Sequence, residues 1–226
     1  MGFLTGCLLL LSSKLVIVFL AGYLLLYLFQ NTKKNTISRY PVITMATAGL
    51  LLTALVVGSP NPVNRRFQDL LHGNTALIQQ PSFNPANYFN GLQFRLLQWR
   101  FTAEIIQEHH AWLSGVSPGD AQKILDQKYM ATHMYTGPPG RGYLGFNTHN
   151  QFLESMLQTG LPGLLSFMAI CVAMLAMAFR QRSRSFSALV ALLIAYAFTE
   201  SVLETQYGIM IFTCLPLLFY YGSSTS

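Results

Sequence analysis

Residues 161–179 read LPGLLSFMAICVAMLAMAF, a run without a single charged side chain. A helix rises 1.5 Å per residue, so a run of this length crosses most of the roughly 30 Å hydrocarbon core of a bilayer. Core helices of soluble domains keep a polar face, and this stretch has none. The reading extends outward. Phe3–Phe29 is a long apolar stretch broken by Ser12, Ser13 and Lys14, and Pro41–Gly58 is another. Phe186–Phe198 and Ile209–Tyr221 are shorter and must recruit polar residues from Thr199–Gly208 to cross. Of 226 residues, 52% are apolar and 10% charged, less than half the charged share of a soluble domain. These patterns predict an all-α polytopic membrane protein with five spans.

Orientation follows from the short loops. One carries Lys33, Lys34 and Arg39 and the other Arg180, Arg182 and Arg184, with no acid in either, so both are expected on the cytoplasmic side. Alternation then puts Lys14, the long Ser59–Thr148 segment and the Glu200–Glu204 turn together on the opposite, external face. The expected organisation is transmembrane spans in 1–58, an external loop with helices in 59–150, and further spans in 151–226. Met1–Leu10 reads as the tail of a helix that begins upstream. With the basic residues bunched beside spans, the net charge of +6 is a topology signal, and no nucleic-acid partner is expected. Cys7, Cys171 and Cys214 lie in apolar runs, which argues against a disulfide framework or a cysteine zinc site and leaves them as packing residues.

Within the long segment, Asn84-Pro85 is a plausible helix opening, and Gly91 to Trp112 shows helical periodicity. At 100° per residue Arg95, Trp99, Thr102 and Ile106 share a stripe, so an arginine and an indole project together. Trp99 and Arg95 can each be read as packing or as substrate contacts. Arg100, Glu104 and Glu108 line another side and read as a solvated face. A short helix over Ala121–Tyr129 follows, then Gly137-Pro138-Pro139-Gly140-Arg141-Gly142, a turn that can present N–H groups and a guanidinium to a phosphate or can simply connect. His149 stands where the loop returns to the membrane, placed to act as a base or as an interfacial residue. Adjacent His109 and His110 point apart on a helix, and His72 and His133 form no pattern, so no metal is assigned.

Read in order, several short motifs accumulate: Leu11-Ser12-Ser13-Lys14, Arg95-x3-Trp99-x3-Ala103, Gly115-Val116-Ser117-Pro118-Gly119-Asp120, His149-Asn150-x2-Leu153-Glu154, Gly160-Leu161-Pro162-Gly163-Leu164, and Glu200-Ser201-x-Leu203-Glu204-x-Gln206-x-Gly208. In this sequence they resemble the C-terminal portion of the O-antigen ligase and polymerase superfamily of bacterial inner-membrane proteins. The resemblance implies a fold similar to the GT-C class of helical glycosyltransferases. It also implies metal-independent transfer, without a cofactor, of a glycan from undecaprenyl pyrophosphate to a lipid A-core or similar acceptor. Lys14 matches the family's basic residue at a helix start, although lysine offers a point charge where arginine would grip a phosphate with two hydrogen bonds. Arg95 matches its arginine before tryptophan, and His149 its histidine before asparagine.

His149 and Arg95 are accordingly the expected catalytic residues, with Lys14, Arg141, Trp99, Asn150 and Glu204 in substrate binding. Glu200 and Glu204, one helical turn apart, either hold the histidine or acceptor or pair with arginines. Family members carry more spans than this chain, so an incomplete, inactive fragment is one reading. A polymerase or protein oligosaccharyltransferase of the same superfamily, and a non-catalytic component of polysaccharide export, are the alternatives.

Overall fold

The computed structural model describes residues 75–138 and 142–222, which form five α-helices and no strand. The two spans expected before residue 59, with Lys14 and Cys7, and the Arg141 turn lie outside the described residues.

Helix α1 (Gly91–Glu108) opens at Asn90, whose side chain accepts from the Leu92 and Gln93 amides while the Gln93 side chain accepts from the Asn90 amide. This reciprocal capping box satisfies donors that a bare helix start leaves orphaned. The expected opening at Asn84 is corrected: Asn84 lies outside the helix and uses its side chain to accept from the Ala86 amide two residues on. The helix also stops short of Trp112, with His109 as its C-cap.

Phe94, Leu97, Phe101 and Ile105 form the apolar stripe of α1 and pack on Ala121, Leu125 and Tyr129 of α2 (Ala121–Ala131). Complete burial of Leu97 or Phe101 contributes about 1.5–3 kcal/mol each. Arg100, Glu104 and Glu108 form a partly exposed face that also bonds to the neighbouring helix. Arg100 Nε donates to Glu104 at 2.6 Å, and Lys128 of α2 reaches Glu104 at 3.0 Å and Glu108 at 2.6 Å, so the charges weld α1 to α2. Burial opposes both charges, but the mutual hydrogen bonds and attraction outweigh it, holding the Glu104 carboxyl below and the Lys128 ammonium above their usual ranges.

Helix α3 (Gln151–Gln181) contains the run quoted above and is, among the described residues, the one helix long and apolar enough to cross a membrane. It is kinked at Gly160, whose φ of 69° and ψ of −155° are accessible essentially to glycine alone. Past the kink, Pro162 has no N–H to give the Gln158 carbonyl, and the Leu161 N–H turns to the Trp112 carbonyl. The Leu157 and Gln158 carbonyls, left open, accept from the Val116 and Ser117 amides at 2.8 and 3.1 Å. The Gly115-Val116-Ser117 turn is therefore a clasp on the α3 kink. Gly115 and Gly160 are obligatory, because a Cβ at either would sit 2.4–2.5 Å from the opposing backbone.

Beyond the kink, Phe167, Cys171, Met174 and Ala178 pack on Phe186, Val190, Leu193 and Ala197 of α4 (Arg184–Ala197) and on Phe212 of α5 (Gln206–Gly222). Large apolar side chains on the other faces, such as Leu165, Val172 and Phe179, are exposed, as suits lipid contact. Cys171 packs as expected, whereas Cys214 is exposed. The last two runs are helices of 14 and 17 residues; α4 takes nothing from Thr199–Gly208, whereas α5 takes Gln206–Gly208 from it. The α4–α5 connection is not α-helical. It contains a 3-10 turn at Val202–Glu204, so Glu200 and Glu204 do not stack one α-helical turn apart.

Candidate functional site

Residues 147–150 enter α3 through a short stretch held on every side. The Thr148 amide and hydroxyl both donate to Glu154 Oε2, at 3.0 and 2.8 Å, beneath the surface. Trp99 Nε1 donates to the Thr148 carbonyl at 3.1 Å, and the neighbouring Gln98 amide donates to the Asn147 carbonyl. Ser201 Oγ, from the α4–α5 connection, lies 3.3 Å from the Thr148 hydroxyl and accepts from the Asn150 amide. Asn150 caps α3, accepting from the Phe152 and Leu153 amides.

This framework forces His149 into the left-handed region, with φ of 46°. Such a conformation costs a non-glycine residue about 1–3 kcal/mol and persists only where its surroundings impose it. The Asn147 side chain supports it by accepting from the His149 amide. The imidazole thereby meets Glu200: Nδ1 lies 2.9 Å from Oε2. The other carboxylate oxygen, Oε1, accepts from Arg95 Nη2 at 2.6 Å. One carboxylate thus joins the arginine of α1 to the histidine at the head of α3.

Burial alone would push the Glu200 carboxyl up, but the His149 hydrogen bond, together with the Arg95 charge, outweighs it and holds the group below the usual carboxylate range. A carboxylate can only accept, so the proton of the neutral imidazole sits on Nδ1 and Nε2 is left with its lone pair. Arg95 devotes only Nη2 to Glu200, and its Nε is buried with no partner among the described residues. Side-chain exposures of 24% for His149, 30% for Glu200 and 34% for Arg95 leave all three within reach of a substrate.

Residues 1–168 match the family described as O-antigen ligase. The chain belongs to that family. Membership makes it a membrane protein of the glycosyltransferase-like ligase or polymerase type. No curated protein and no solved structure matches this O-antigen ligase family member. The matched region contains Arg95 and His149 and ends inside α3, so Glu200 and Ser201 complete the site from beyond it.

Of the residues expected to act, Arg95 and His149 are brought together, whereas Glu204 accepts from Gln158 Nε2 at 2.8 Å and makes no contact with His149. Trp99 and Asn150 use their polar atoms to hold the loop. Thr148, Glu154, Ser201 and Gln98 had no role in the sequence reading. The signal for Glu154 was present: a carboxylate just past the Asn150 cap, on the way into an uninterrupted apolar run, requires buried partners.

Proposed function

We propose that the chain catalyses transfer of a glycan from undecaprenyl pyrophosphate to the hydroxyl of a glycan acceptor such as a lipid A-core, at the periplasmic face of the bacterial inner membrane. The observation that carries this reading is the bridging of His149 and Arg95 by Glu200, which couples a base to a cation in a membrane protein of this family.

Transfer forms a bond between the acceptor oxygen and the anomeric carbon of the donor sugar and breaks the bond from that carbon to the pyrophosphate. His149 Nε2 takes the acceptor's proton, a role worth about 10²–10⁴ in rate. Arg95 directs its uncommitted donors to the pyrophosphate, where negative charge grows as the bond breaks, an electrostatic role worth about 10²–10³. Before reaction the arginine, carboxylate and neutral imidazole sum to zero charge. After proton uptake they sum to +1, which complements the departing anion. Attack opposite the pyrophosphate inverts the anomeric centre. Lys14 and Arg141, which lie outside the described residues, are proposed as substrate-binding residues on their sequence motifs alone. Glu200 is the positioning residue that fixes the imidazole tautomer.

The test is reconstitution of the full chain in vesicles with an undecaprenyl-pyrophosphate-linked oligosaccharide and purified lipid A-core. The expected product is an acceptor enlarged by the whole oligosaccharide; recovery of both reactants unchanged would overturn the assignment. A Lys123→Cys substitution reports the face. Labelling by an impermeant maleimide in spheroplasts supports the periplasmic placement, and labelling only after lysis contradicts it.

A further inference from the structure

Beside His149 a cleft of about 460 Å³ opens, within the range of roughly 300–1,000 Å³ typical of small-ligand sites. Its walls are aromatic: Tyr88, Phe89, Tyr135, Tyr143 and Phe146 line it. The rings brace one another. Phe89 meets Tyr143 edge-on at 5.7 Å, and the Tyr143 hydroxyl accepts from the Phe89 amide. Phe146 stands edge-on to buried Phe94 at 5.3 Å. Yet Tyr88, Tyr135 and Phe146 remain 77%, 42% and 42% exposed, so aromatic ring surface at the cleft is turned to the outside.

We infer that this cleft binds a pyranose ring of the acceptor glycan and delivers its hydroxyl to His149; this rests on the transfer reaction proposed above. Among the described residues no charged side chain lines the cleft, whereas the Arg95 site is charged. Three tyrosine hydroxyls and the Asn87 amide suit it poorly to an acyl chain, whose burial leaves polar groups unpaired. A sugar ring satisfies both demands: its C–H face stacks on the electron-rich face of an aromatic ring, and its hydroxyls pair with the polar tips. Phe146 links the cleft to the chemistry, its ring centroid 6.0 Å from that of His149. The donor sugar has its anomeric carbon at the pyrophosphate beside Arg95, so the cleft on the Phe146 side of His149 falls to the acceptor.

The test uses the full chain in detergent, with dephosphorylated core oligosaccharide as probe and saturation-transfer NMR as readout, which requires no turnover. Wild-type protein transfers magnetisation to sugar ring protons. Tyr88→Ala and Tyr135→Ala each weaken binding about tenfold, and Tyr88→Phe, which keeps the ring and loses the hydroxyl, weakens it less than Tyr88→Ala. Both tyrosines are exposed, and unchanged thermal unfolding of the variants verifies their folding. In the vesicle assay, Tyr88→Ala raises the acceptor KM about tenfold with kcat and the donor KM unchanged. Absence of wild-type binding overturns the inference even where transfer proceeds, and so does binding that the alanine variants leave intact. A raised donor KM assigns the cleft to the donor glycan and likewise overturns it. Binding that follows these variants in a chain without transfer activity supports the sugar site while the transfer reading fails.

Discussion

His149 and Glu200 stand 51 positions apart in the chain and meet at 2.9 Å, Nδ1 to Oε2. That contact requires the α4–α5 connection to fold back over the head of α3, which Ser201 secures by accepting from the Asn150 amide and lying beside the Thr148 hydroxyl. The tautomer of the base is therefore set by tertiary packing.

Replacing Glu200 by glutamine preserves the shape but removes the charge that binds Arg95 and selects Nδ1–H. Glu200→Gln is expected to lower kcat about 10²–10⁴-fold with the acceptor KM little changed, measured in reconstituted vesicles. A rate within threefold of wild type would show that the carboxylate does not hold the base.

Arg95→Lys keeps the charge and loses the planar fork of donors that serves a carboxylate and a pyrophosphate at once. The expected outcome is a higher donor KM and a lower kcat, with membrane levels of the protein unchanged by immunoblot. Kinetics equal to wild type would assign Arg95 to a plain point charge.

Gly160→Ala tests the clasp. The new methyl would sit 2.5 Å from the Leu113 carbonyl carbon, on a backbone conformation that costs a non-glycine residue about 1–3 kcal/mol before any clash. The expected result is a steep fall in folded protein in the membrane, and normal accumulation would contradict the kinked geometry.

The weld between α1 and α2 has a defined pH window. Glu104 is held below the usual carboxylate range, so its contribution is complete above the ordinary value of about 4.3 and is lost as pH falls through the lowered one. Lys128 is held above its usual range, so its contribution is complete below about 10.4 and is lost as pH rises through the raised value. Thermal unfolding should be flat with respect to this network between those limits. Glu104→Gln should cost about 1 kcal/mol near pH 7 and nothing at strongly acidic pH, the partly exposed pair being screened by solvent. An equal cost at both pH values would show that the loss is one of packing.

Some of this was legible in the residues. The membrane helix was, since 161–179 carries no charge, and so was α2, whereas Arg95 and His149 were linked only by the family that the ordered motifs resemble. The periodicity places the start of α1 at Gly91, where it is, and Asn84 competes as an opening because Asn84 and Asn90 are both good caps. Only Asn90 has a glutamine three positions on to complete the capping box, a rule that the pattern already contained. The Arg100, Glu104 and Glu108 face looked solvated because Lys128, which pairs with it, belongs to another helix. Glu200 and Glu204 were equivalent by spacing, and the 3-10 turn between them separates their fates.

The central claim is that His149, held by Glu200, takes the acceptor's proton. It is tested most directly by the initial rate of glycan transfer in vesicles containing the His149→Ala chain at wild-type density. The account predicts a rate reduced about 10²–10⁴-fold, with the core oligosaccharide still bound. Transfer at the wild-type rate would contradict it.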